Sequence, residues 1–477
     1  MRMLFIGLDI GSSYFKSAVL DLQAARLLDV RKDKAPLKLP TAEEGRYEID
    51  AEAMAALASA HIGKLLNRYR GAIAGIVLST QMHGFVLTDD SGMPVTAYIS
   101  WQDRRCLERL ADGEENSLEA LEQLLGPHAP ARSGLRLKPG LALGNLYSWL
   151  QQNREAAACR RAAEFHTLGS FLIRRLTGAH ATHLTNAAAT GMVDVVDRVW
   201  NARTIDEASC GNLRFPALVG ETEQAGVYRS RYGNIPVYPD IGDHQASVLG
   251  CCGNGGNDII VTLGTAGLLS RESASWSEGE DKYECRPYFE GGYLNTVSRL
   301  PGGRNFDVLI EFVQSVARDV WGRTPGKDRI WRESARLAEA AARDPIAPLR
   351  VELGFYPGQL GVDRGQIGTI DAHNLRLGPL FLGAFDNMAD VYRTMLGRLC
   401  GSFGEAHRVI FAGGLAWRNP LLRQRMSVGL GLPGDLPPLA DESLVGLFRL
   451  ALVCGGQFRT LAETQETALA LGKLTPV

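Results

Sequence analysis

The sequence predicts an α/β protein of two domains, and three observations lead to that prediction. The chain has 477 residues, of which 45% are hydrophobic and 22% charged, whereas a single hydrophobic core stops growing at roughly 250–300 residues. Short apolar runs of strand length alternate with longer patterns of helical periodicity. A strand, a turn of small residues and a returning strand occur at the start of the chain and again just past its middle. We therefore expect domains at residues 1–249 and 250–477, built as related halves that face one site.

The first predicted strand, Leu4 to Leu8, ends beside the carboxylate of Asp9. The turn after it consists of Gly11, Ser12 and Ser13, and such a turn lets backbone N–H groups approach an anion while hydroxyls add donors. Asp9 suits Mg²⁺, because this ion keeps several waters and takes only one or two protein carboxylates. Lys16 either adds positive charge to a phosphate site or is an ordinary solvated lysine.

Two polar segments next suit a ligand rich in hydroxyl groups. The first contains Gln81, Met82 and His83, between the predicted strands 74–79 and 85–88. The second sets Trp101 beside Asp103 and two arginines, and an aromatic face with bidentate polar groups is a common way to bind a sugar. The plainer alternatives stay open, with His83 as a structural histidine and Asp103 paired to a neighbouring arginine.

The stretch from Pro239 to Leu268 is the centre of the predicted site. Residues 107–200 before it are predicted to be mostly helical, and residues 216–239 are predicted to be rich in turns and poor in strands. Asp243 lies just before a segment with a helical pattern. It is either a catalytic residue, or a helix cap or solvated side chain. An apolar strand, Ile259 to Leu263, then leads to a second candidate phosphate turn that begins with Gly264 and Thr265.

The C-terminal half contains two long helical patterns and a third glycine-rich loop. Residues 305–322 form an amphipathic pattern whose apolar face we assign to the core, and residues 380–400 form the second helix. The predicted strand 409–412 is followed by Gly413 and Gly414, and the next helix begins near Asn419. Adjacent glycines let a flat ring lie against the backbone, so this loop is a candidate base or ribose site, or an ordinary connection.

Charge and cysteine content exclude several classes of function. The formal net charge is −2, from 51 basic and 53 acidic side chains without a long block of one sign, which argues against a nucleic-acid or membrane-surface partner. The eight cysteines include no CxxC pair and no zinc-site spacing, so we expect reduced thiols. Since the N-terminus shows no signal-peptide pattern and no stretch is apolar enough to span a membrane, we expect a cytoplasmic protein that acts on a small molecule.

Taken together, these segments resemble the FGGY family of carbohydrate kinases, which belongs to the actin and hexokinase superfamily. LDIGSSYFKSAVLD looks like the first phosphate motif, QMHG and the WQD segment look like sugar-binding motifs, GDHQAS looks like the catalytic motif, VTLGTAG looks like the second phosphate motif, and GGLAWRNPLLRQ looks like the adenosine motif. The resemblance covers nearly the whole chain. It implies two ribonuclease-H-like α/β domains around an interdomain cleft, with ATP and Mg²⁺ as co-substrates.

The resemblance also implies a role for each candidate residue. Asp243 would be the general base that accepts a proton from a sugar hydroxyl as that oxygen attacks the γ-phosphorus, and Asp9 would organise the metal. The sugar would contact Gln81, Met82, His83, Trp101 and Asp103. The phosphates would contact Gly11, Ser12, Ser13, Lys16, Gly264 and Thr265, and adenosine would contact Gly413, Gly414 and Asn419.

Two subgroups of that family compete for the substrate. The segments WQDRRC, GDHQASVLGC and RPYFEGGYLN followed by LPGG look closer to sedoheptulokinases than to xylulokinases, so we expect sedoheptulose ahead of D-xylulose. A non-catalytic sugar-binding protein on the same fold is the rival. The segment 441–446, DESLVG, departs from the alanine-rich run of relatives, which bears on nucleotide affinity or helix packing. The sequence leaves a homodimer open.

Overall fold

The computed structural model describes residues 3–110, 113, 115–126, 131–279, 282–344, 349–356, 358, 361, 363–401 and 406–474. Its helices and strands up to residue 250 are β1 (Leu4–Ile10), β2 (Tyr14–Asp21), β3 (Arg26–Lys34), β4 (Glu48–Ile49), α1 (Ala51–Arg68), β5 (Ile73–Thr80), β6 (Val86–Thr88), β7 (Tyr98–Ile99), α2 (Ser117–Leu125), α3 (Ala142–Gln152), α4 (Ala157–Arg161), β8 (Glu164–His166), α5 (Leu168–Thr177), β9 (Ala181–His183), α6 (Leu184–Ala188), β10 (Val193–Asp194), β11 (Val199–Trp200), α7 (Ala202–Glu207), β12 (Ala217–Val219), β13 (Gly226–Ser230), β14 (Gly233–Gly242) and α8 (Asp243–Gly250).

The remaining elements follow α8 in the C-terminal half. They are β15 (Asp258–Leu263), β16 (Gly267–Ser273), β17 (Glu284–Pro287), β18 (Tyr293–Leu300), α9 (Gly303–Trp321), α10 (Lys327–Ala341), β19 (Arg350–Glu352), β20 (Gln366–Gly368), α11 (Leu377–Cys400), β21 (Arg408–Ala412), α12 (Gly414–Arg418), α13 (Pro420–Leu430), β22 (Gly434–Asp435), α14 (Glu442–Cys454) and α15 (Gln465–Leu474).

A six-stranded sheet of order β13-β14-β5-β1-β2-β3 organises the first half. Its central strands β14, β5 and β1 are parallel, and their carboxyl ends coincide, since Thr80 pairs with both Ile10 and Gly242. Every residue of β1 is buried, as expected of a parallel strand covered on both faces. The residues that follow these three strands are therefore gathered at one edge of the sheet.

The second half repeats this design in a six-stranded sheet of order β17-β18-β16-β15-β21-β22. The β15–β16 hairpin corresponds to the β1–β2 hairpin, and both are antiparallel. Parallel pairing of β15 with β21 brings Thr262 next to Ala412 near the carboxyl ends of the two strands. The predicted α/β class is confirmed, with one six-stranded sheet in each half.

Helices α8 and α14 cross between the two sheets. One hydrophobic cluster joins Phe5 of the first sheet, Ile260 of the second and the buried side chains of α14. The helices touch closely, because a Cβ atom at Gly446 would lie 2.0 Å from the carbonyl oxygen of Ala246, and one at Gly250 would lie 1.8 Å from another backbone carbonyl oxygen. Gly446, the last residue of the segment 441–446, therefore lies where α14 comes too close to the backbone of α8 for a larger side chain.

Residues 216–239 differ from the prediction that they are poor in strands. They contain β12, β13 and most of β14, and β13 pairs with β14 in antiparallel register. Pro236 precedes the pairing of β14 with β5, and Pro239 lies in the register shift between Val237 and Asp240. Proline is tolerated at such positions because no ladder hydrogen bond is required from it there.

The apolar face of α9 is only partly in the core, contrary to the prediction. Phe306, Leu309 and Ile310 are buried, whereas Val320 is 65% and Trp321 is 67% exposed. The periodicity identifies one face of the helix correctly. It does not determine how far along the helix a neighbouring element covers that face.

Candidate active site

The sheet edge described above brings together residues from three separate motifs. Gly11 follows β1, Gln81 follows β5 and Asp243 follows β14, while Asp9 is the penultimate residue of β1. Ligands of open α/β sheets commonly bind outside the carboxyl ends of the strands. This edge is therefore the candidate active site.

Asp243 is the first residue of α8 and is half-buried. Its Oδ1 accepts a hydrogen bond from the backbone N–H of His244 at 2.8 Å. Burial, and next the negative charge of Asp9, raise the pKa of Asp243 to about 7. A carboxylate in this range can accept a proton at neutral pH and release it afterwards, as a general base requires.

A second carboxylate, Asp240, fixes the strand end that carries Asp243. It is fully buried and accepts hydrogen bonds from Thr167, Thr182 and Asn186 at 3.1, 3.2 and 2.7 Å. Thr185 accepts a hydrogen bond from the backbone N–H of Gly242 at 3.0 Å. The polar run 182–186 thus positions the backbone immediately before Asp243.

Asp9 is buried among polar partners from both halves of the chain. Ser79 donates to its Oδ1 at 2.9 Å, and Ser443 at the start of α14 donates to its Oδ2 at 2.6 Å. Lys16 Nζ lies 3.5 Å from Asp9 and 3.0 Å from Asp441. Burial opposes the charge of Lys16, yet these two carboxylates raise its pKa above the ordinary value. Lys16 is therefore an ion-paired lysine at the first turn.

The surroundings of Asp9 are compatible with magnesium bound through water. Each carboxylate oxygen has about two acceptor positions, and each oxygen of Asp9 uses one for a serine hydroxyl. Lys16 Nζ lies 3.5 Å from Oδ2 as well, so the free position on Oδ1 is the one that can accept a hydrogen bond from a water of a bound ion, which is the mode that Mg²⁺ favours.

Gln81, Met82 and His83 line the adjoining part of the edge. Gln81 is buried, and neither atom of its side-chain amide has a hydrogen-bond partner among the described residues. A Cβ atom at Gly242 would lie 2.8 Å from the sulfur of Met82. His83 Nδ1 lies 2.7 Å from the carbonyl oxygen of Ala189, and burial lowers the pKa of His83 to about 3. An amide without partners and a neutral imidazole are suitable groups for binding hydroxyls.

Trp101 is accessible to a ligand, whereas Asp103 is not. Trp101 is 44% exposed, so its ring can be covered by a ligand. Asp103 is buried and accepts from Arg105 Nε at 2.9 Å, from Arg105 Nη2 at 2.8 Å and from the N–H groups of Arg105 and Tyr47. These four hydrogen bonds use its acceptor positions. Asp103 is therefore paired with a neighbouring arginine, which is the second of the two alternatives that the sequence left open, although the pair is buried. This pairing indicates that Asp103 positions its loop rather than contacting a ligand.

The second candidate phosphate turn is fastened to the start of α9. The carbonyl oxygens of Gly264 and Thr265 accept from the N–H groups of Gly303 and Arg304 at 2.8 and 3.0 Å. A Cβ atom at Gly302 would lie 2.7 Å from the backbone of Ala266, so the glycines of the LPGG segment let the two backbones meet. Thr265 itself is exposed and available to a ligand.

The glycines after β21 lie beside this turn. A Cβ atom at Gly413, whose φ is +88°, would lie 2.6 Å from the carbonyl oxygen of Leu263, whereas Gly414 has open space beside it. The N–H of Gly413 donates to Glu442 of α14 at 2.9 Å. Asn419 is buried and donates to the carbonyl oxygen of Leu415 at 2.8 Å, so its side chain joins α12 to α13.

Several groups beside the site were not identified from the sequence. Tyr98 has a buried hydroxyl without a partner among the described residues, and burial, then the charge of Asp243, raise its pKa. Arg286 and Lys138 both bind Glu284 in a buried ion-pair group that joins the two halves. Arg286 carries positive charge close enough to lower the pKa of Asp243, against the larger effect of burial. No local pattern marks these residues, because each is brought to the site by tertiary structure.

A separate cluster of Glu164, His166 and His180 has ligand atoms within 4.8 Å of one another. Glu164 is already bound by Arg174 and Arg214 at 3.1 and 3.2 Å. Two guanidinium groups at the same carboxylate disfavour a cation there. We therefore interpret this cluster as structural.

In the part of the chain that the structure describes, no helix is long and apolar enough to cross a membrane.

Known proteins resemble this chain in sequence and in fold. The model of the FGGY family of carbohydrate kinases, N-terminal domain, matches residues 4–250. A xylulose kinase of Staphylococcus xylosus is 26% identical over 285 residues, which cover 58% of this chain and 56% of that protein. A glycerol kinase of Nitrosomonas eutropha is 30% identical over 419 residues, which cover 83% of this chain and 78% of that protein. The chain spans about half the length of the xylulose kinases that it matches.

The structural comparison identifies the fold. The crystal structure of Plasmodium falciparum glycerol kinase with ADP has a TM-score of 0.79 and 16% sequence identity, with 98% of this chain and 92% of that one covered. The predicted two-domain ribonuclease-H-like architecture is thereby confirmed. Because the family model matches just over half of the chain, and the glycerol kinase alignment covers most of both proteins, the chain belongs to the FGGY family of carbohydrate kinases.

Proposed function

We propose that this protein is an ATP-dependent kinase that transfers the γ-phosphate to a hydroxyl group of a ketose. The observation that carries the proposal is the position of Asp243. The pKa of Asp243 is raised to about 7. Asp243 follows β14, and Gln81 follows the neighbouring strand β5. The side-chain amide of Gln81 has no hydrogen-bond partner among the described residues. Relatives named xylulose kinase and glycerol kinase, and a structural neighbour with ADP, support this class of reaction.

In the proposed reaction, Asp243 accepts the proton of the acceptor hydroxyl. The hydroxyl oxygen forms a bond to the γ-phosphorus, the bond from that phosphorus to the β,γ-bridging oxygen breaks, and ADP leaves. Catalysis of this kind depends mainly on positioning and charge stabilisation. The contacts of Asp240 and Gly242 described above would hold Asp243 in place during proton transfer.

The other expected ligand contacts are part of the same proposal. Backbone groups of Gly11, Gly264 and Thr265, hydroxyls of Ser12 and Ser13, and Lys16 would face the phosphates, while Gly413, Gly414 and Asn419 would form the adenosine site. Asp9 would hold Mg²⁺ through its waters, and that ion would neutralise phosphate charge. Domains at residues 1–249 and 250–477, a cytoplasmic location and a homodimer remain expectations.

The acceptor sugar is the least defined part of the proposal. The segments quoted above favour sedoheptulose, whereas several relatives are named xylulose kinase. Gln81, Met82, His83 and Trp101 would contact either ketose, with Asp103 positioning its loop through Arg105. We therefore propose a ketose acceptor, with D-xylulose and sedoheptulose as the two candidates to compare first.

A coupled assay of ADP release tests this proposal. The panel contains sedoheptulose, D-xylulose, D-ribulose, L-ribulose and glycerol, with Mg-ATP present throughout. We expect one ketose to stimulate ADP release, and Asp243→Asn to lower kcat by about 10²–10⁴-fold while sugar and nucleotide binding persist. Near-normal turnover of the variant would remove Asp243 from this role.

The rival function is sugar binding without catalysis. That protein would bind a sugar of the panel in calorimetry but release no ADP. Asp9, Asp243 and both candidate phosphate turns favour the kinase, since a sugar sensor needs no groups for a γ-phosphate.

A further inference from the structure

Arg304 lies at the second phosphate turn, although no motif singled it out. It is the second residue of α9, and its N–H donates to the carbonyl oxygen of Thr265 at 3.0 Å. The preceding residue, Gly303, is bonded to Gly264 in the same way at 2.8 Å. The backbone of Arg304 is therefore fixed to the turn, and its side chain starts within reach of any phosphate bound there.

The guanidinium group of Arg304 has no acidic partner among the described residues. It lies over the ring of Tyr356, 4.4 Å from the ring centroid, and its Nε is buried without a hydrogen-bond partner in the same part of the chain. A cation with an unused donor is suited to bind an anion.

Another positive charge, from the first half of the molecule, also acts on Arg304. Burial lowers the pKa of Arg304 against the opposite effect of Tyr356, and the positive charge of Arg104 lowers it further. Arg104 itself is exposed. A bound anion at Arg304 would offset this repulsion.

We propose that Arg304 binds the terminal phosphate of the nucleotide. This inference rests on the proposed function and adds one residue to it. A phosphate offers several oxygens to the planar guanidinium group, whose Nε has no other partner among the described residues. Positive groups at the transferred phosphoryl are a recurrent means of stabilising its transition state.

Calorimetry with ADP and the non-hydrolysable analogue adenylyl imidodiphosphate, each with Mg²⁺, tests the inference without a known acceptor. We expect Arg304→Gln to raise the Kd of the analogue about tenfold or more and to change the Kd of ADP less than twofold. Arg304→Lys should lie between wild type and Arg304→Gln. Arg318→Gln is the matched control, because Arg318 is on the same helix but 60% exposed and paired with Asp319. Thermal unfolding of each variant shows whether it is folded.

Each outcome separates this inference from the proposed function. If wild type binds both nucleotides but Arg304→Gln weakens neither, or weakens both equally, the inference is overturned and the kinase proposal stands. If only the acceptor KM of Arg304→Gln rises, Arg304 binds an anionic group of the acceptor and the inference is again overturned. If wild type binds neither nucleotide, both proposals fail.

Discussion

At the scale of single residues, the environment of Asp243 decides what it can do. An aspartate in water is fully ionised at neutral pH, and such a weak base removes a hydroxyl proton poorly. Burial disfavours the charged form of Asp243, and the carboxylate of Asp9 disfavours it further. The hydrogen bond from the backbone N–H of His244 and then the positive charge of Arg286 act in the opposite direction, and the resulting pKa is about 7.

This balance predicts the pH dependence of the kinase. Because the base must be unprotonated, kcat/KM for the acceptor should fall as the pH decreases through about 7 and approach a tenfold loss per pH unit below it. The measurement is kcat/KM from pH 5 to pH 9 at saturating Mg-ATP. His83 adds no second limb there, since its pKa is lowered to about 3. A profile that stays level down to pH 5, as an aspartate of ordinary pKa would give, would contradict the raised pKa.

The sequence predicted the positions of Asp9 and Gln81 because each lies at the end of a strand with a clear apolar pattern. Asp243 was selected as a candidate without its strand, since residues 216–239 were predicted to be poor in strands, and only the structure shows that β14 brings it to the same sheet edge. Arg286, Tyr98 and Arg304 could not be predicted, because their proximity depends on packing between distant segments. The sequence also could not decide between the two alternatives for Asp103, because the hydrogen bonds from Arg105 to its carboxylate are seen only in the structure.

At the scale of elements, the crossing of α8 and α14 joins the two halves. The start of α14 also contacts two motifs, through Ser443 to Asp9 and through Glu442 to Gly413. A displacement of this helix would therefore disturb Asp9, the proposed magnesium residue, and the proposed adenosine loop together. The repeated strand–turn–strand pattern predicted two related halves, but no local pattern predicted this crossing, because it depends on packing between segments that are distant in the chain.

Gly446→Ala tests the importance of this crossing. The added Cβ would lie 2.0 Å from a backbone carbonyl oxygen of α8, so the helices must separate, and we expect a cost of about 1–3 kcal/mol in unfolding free energy. Gly397→Ala in α11 is the control, because a Cβ at exposed Gly397 meets nothing within 4 Å. That variant should gain about 1 kcal/mol from helix propensity. Equal effects of the two substitutions in denaturant unfolding would show that the crossing has no special cost.

At the scale of the whole molecule, a further series of polar contacts connects the two halves, in addition to α8 and α14 and the ion-pair group of Glu284. Glu221 accepts from the N–H of Glu290 at 2.7 Å, and Glu290 in turn accepts from the N–H of Leu461 at 2.7 Å. His183, which adjoins Asp240, lies 3.5 Å from Glu221. Residues of the first half are thus linked to both ends of the second half without passing through α8 and α14.

The charge of Glu221 should make this connection sensitive to acid. Burial opposes ionisation, but hydrogen bonds from His183 and Glu290 lower the pKa of Glu221 from 4.5 to about 2. A depressed pKa stabilises the folded state fully above about pH 4.5, and this contribution disappears as the pH falls through about 2. Allowing for partial exposure, we expect Glu221→Gln to cost about 1–2 kcal/mol at pH 7, with a smaller difference from wild type at pH 3. Denaturant unfolding at both pH values measures this, and Glu223→Gln, an exposed neighbour, is the control. A difference that stays constant between pH 7 and pH 3 would mean that the charge of Glu221 does not join the two halves.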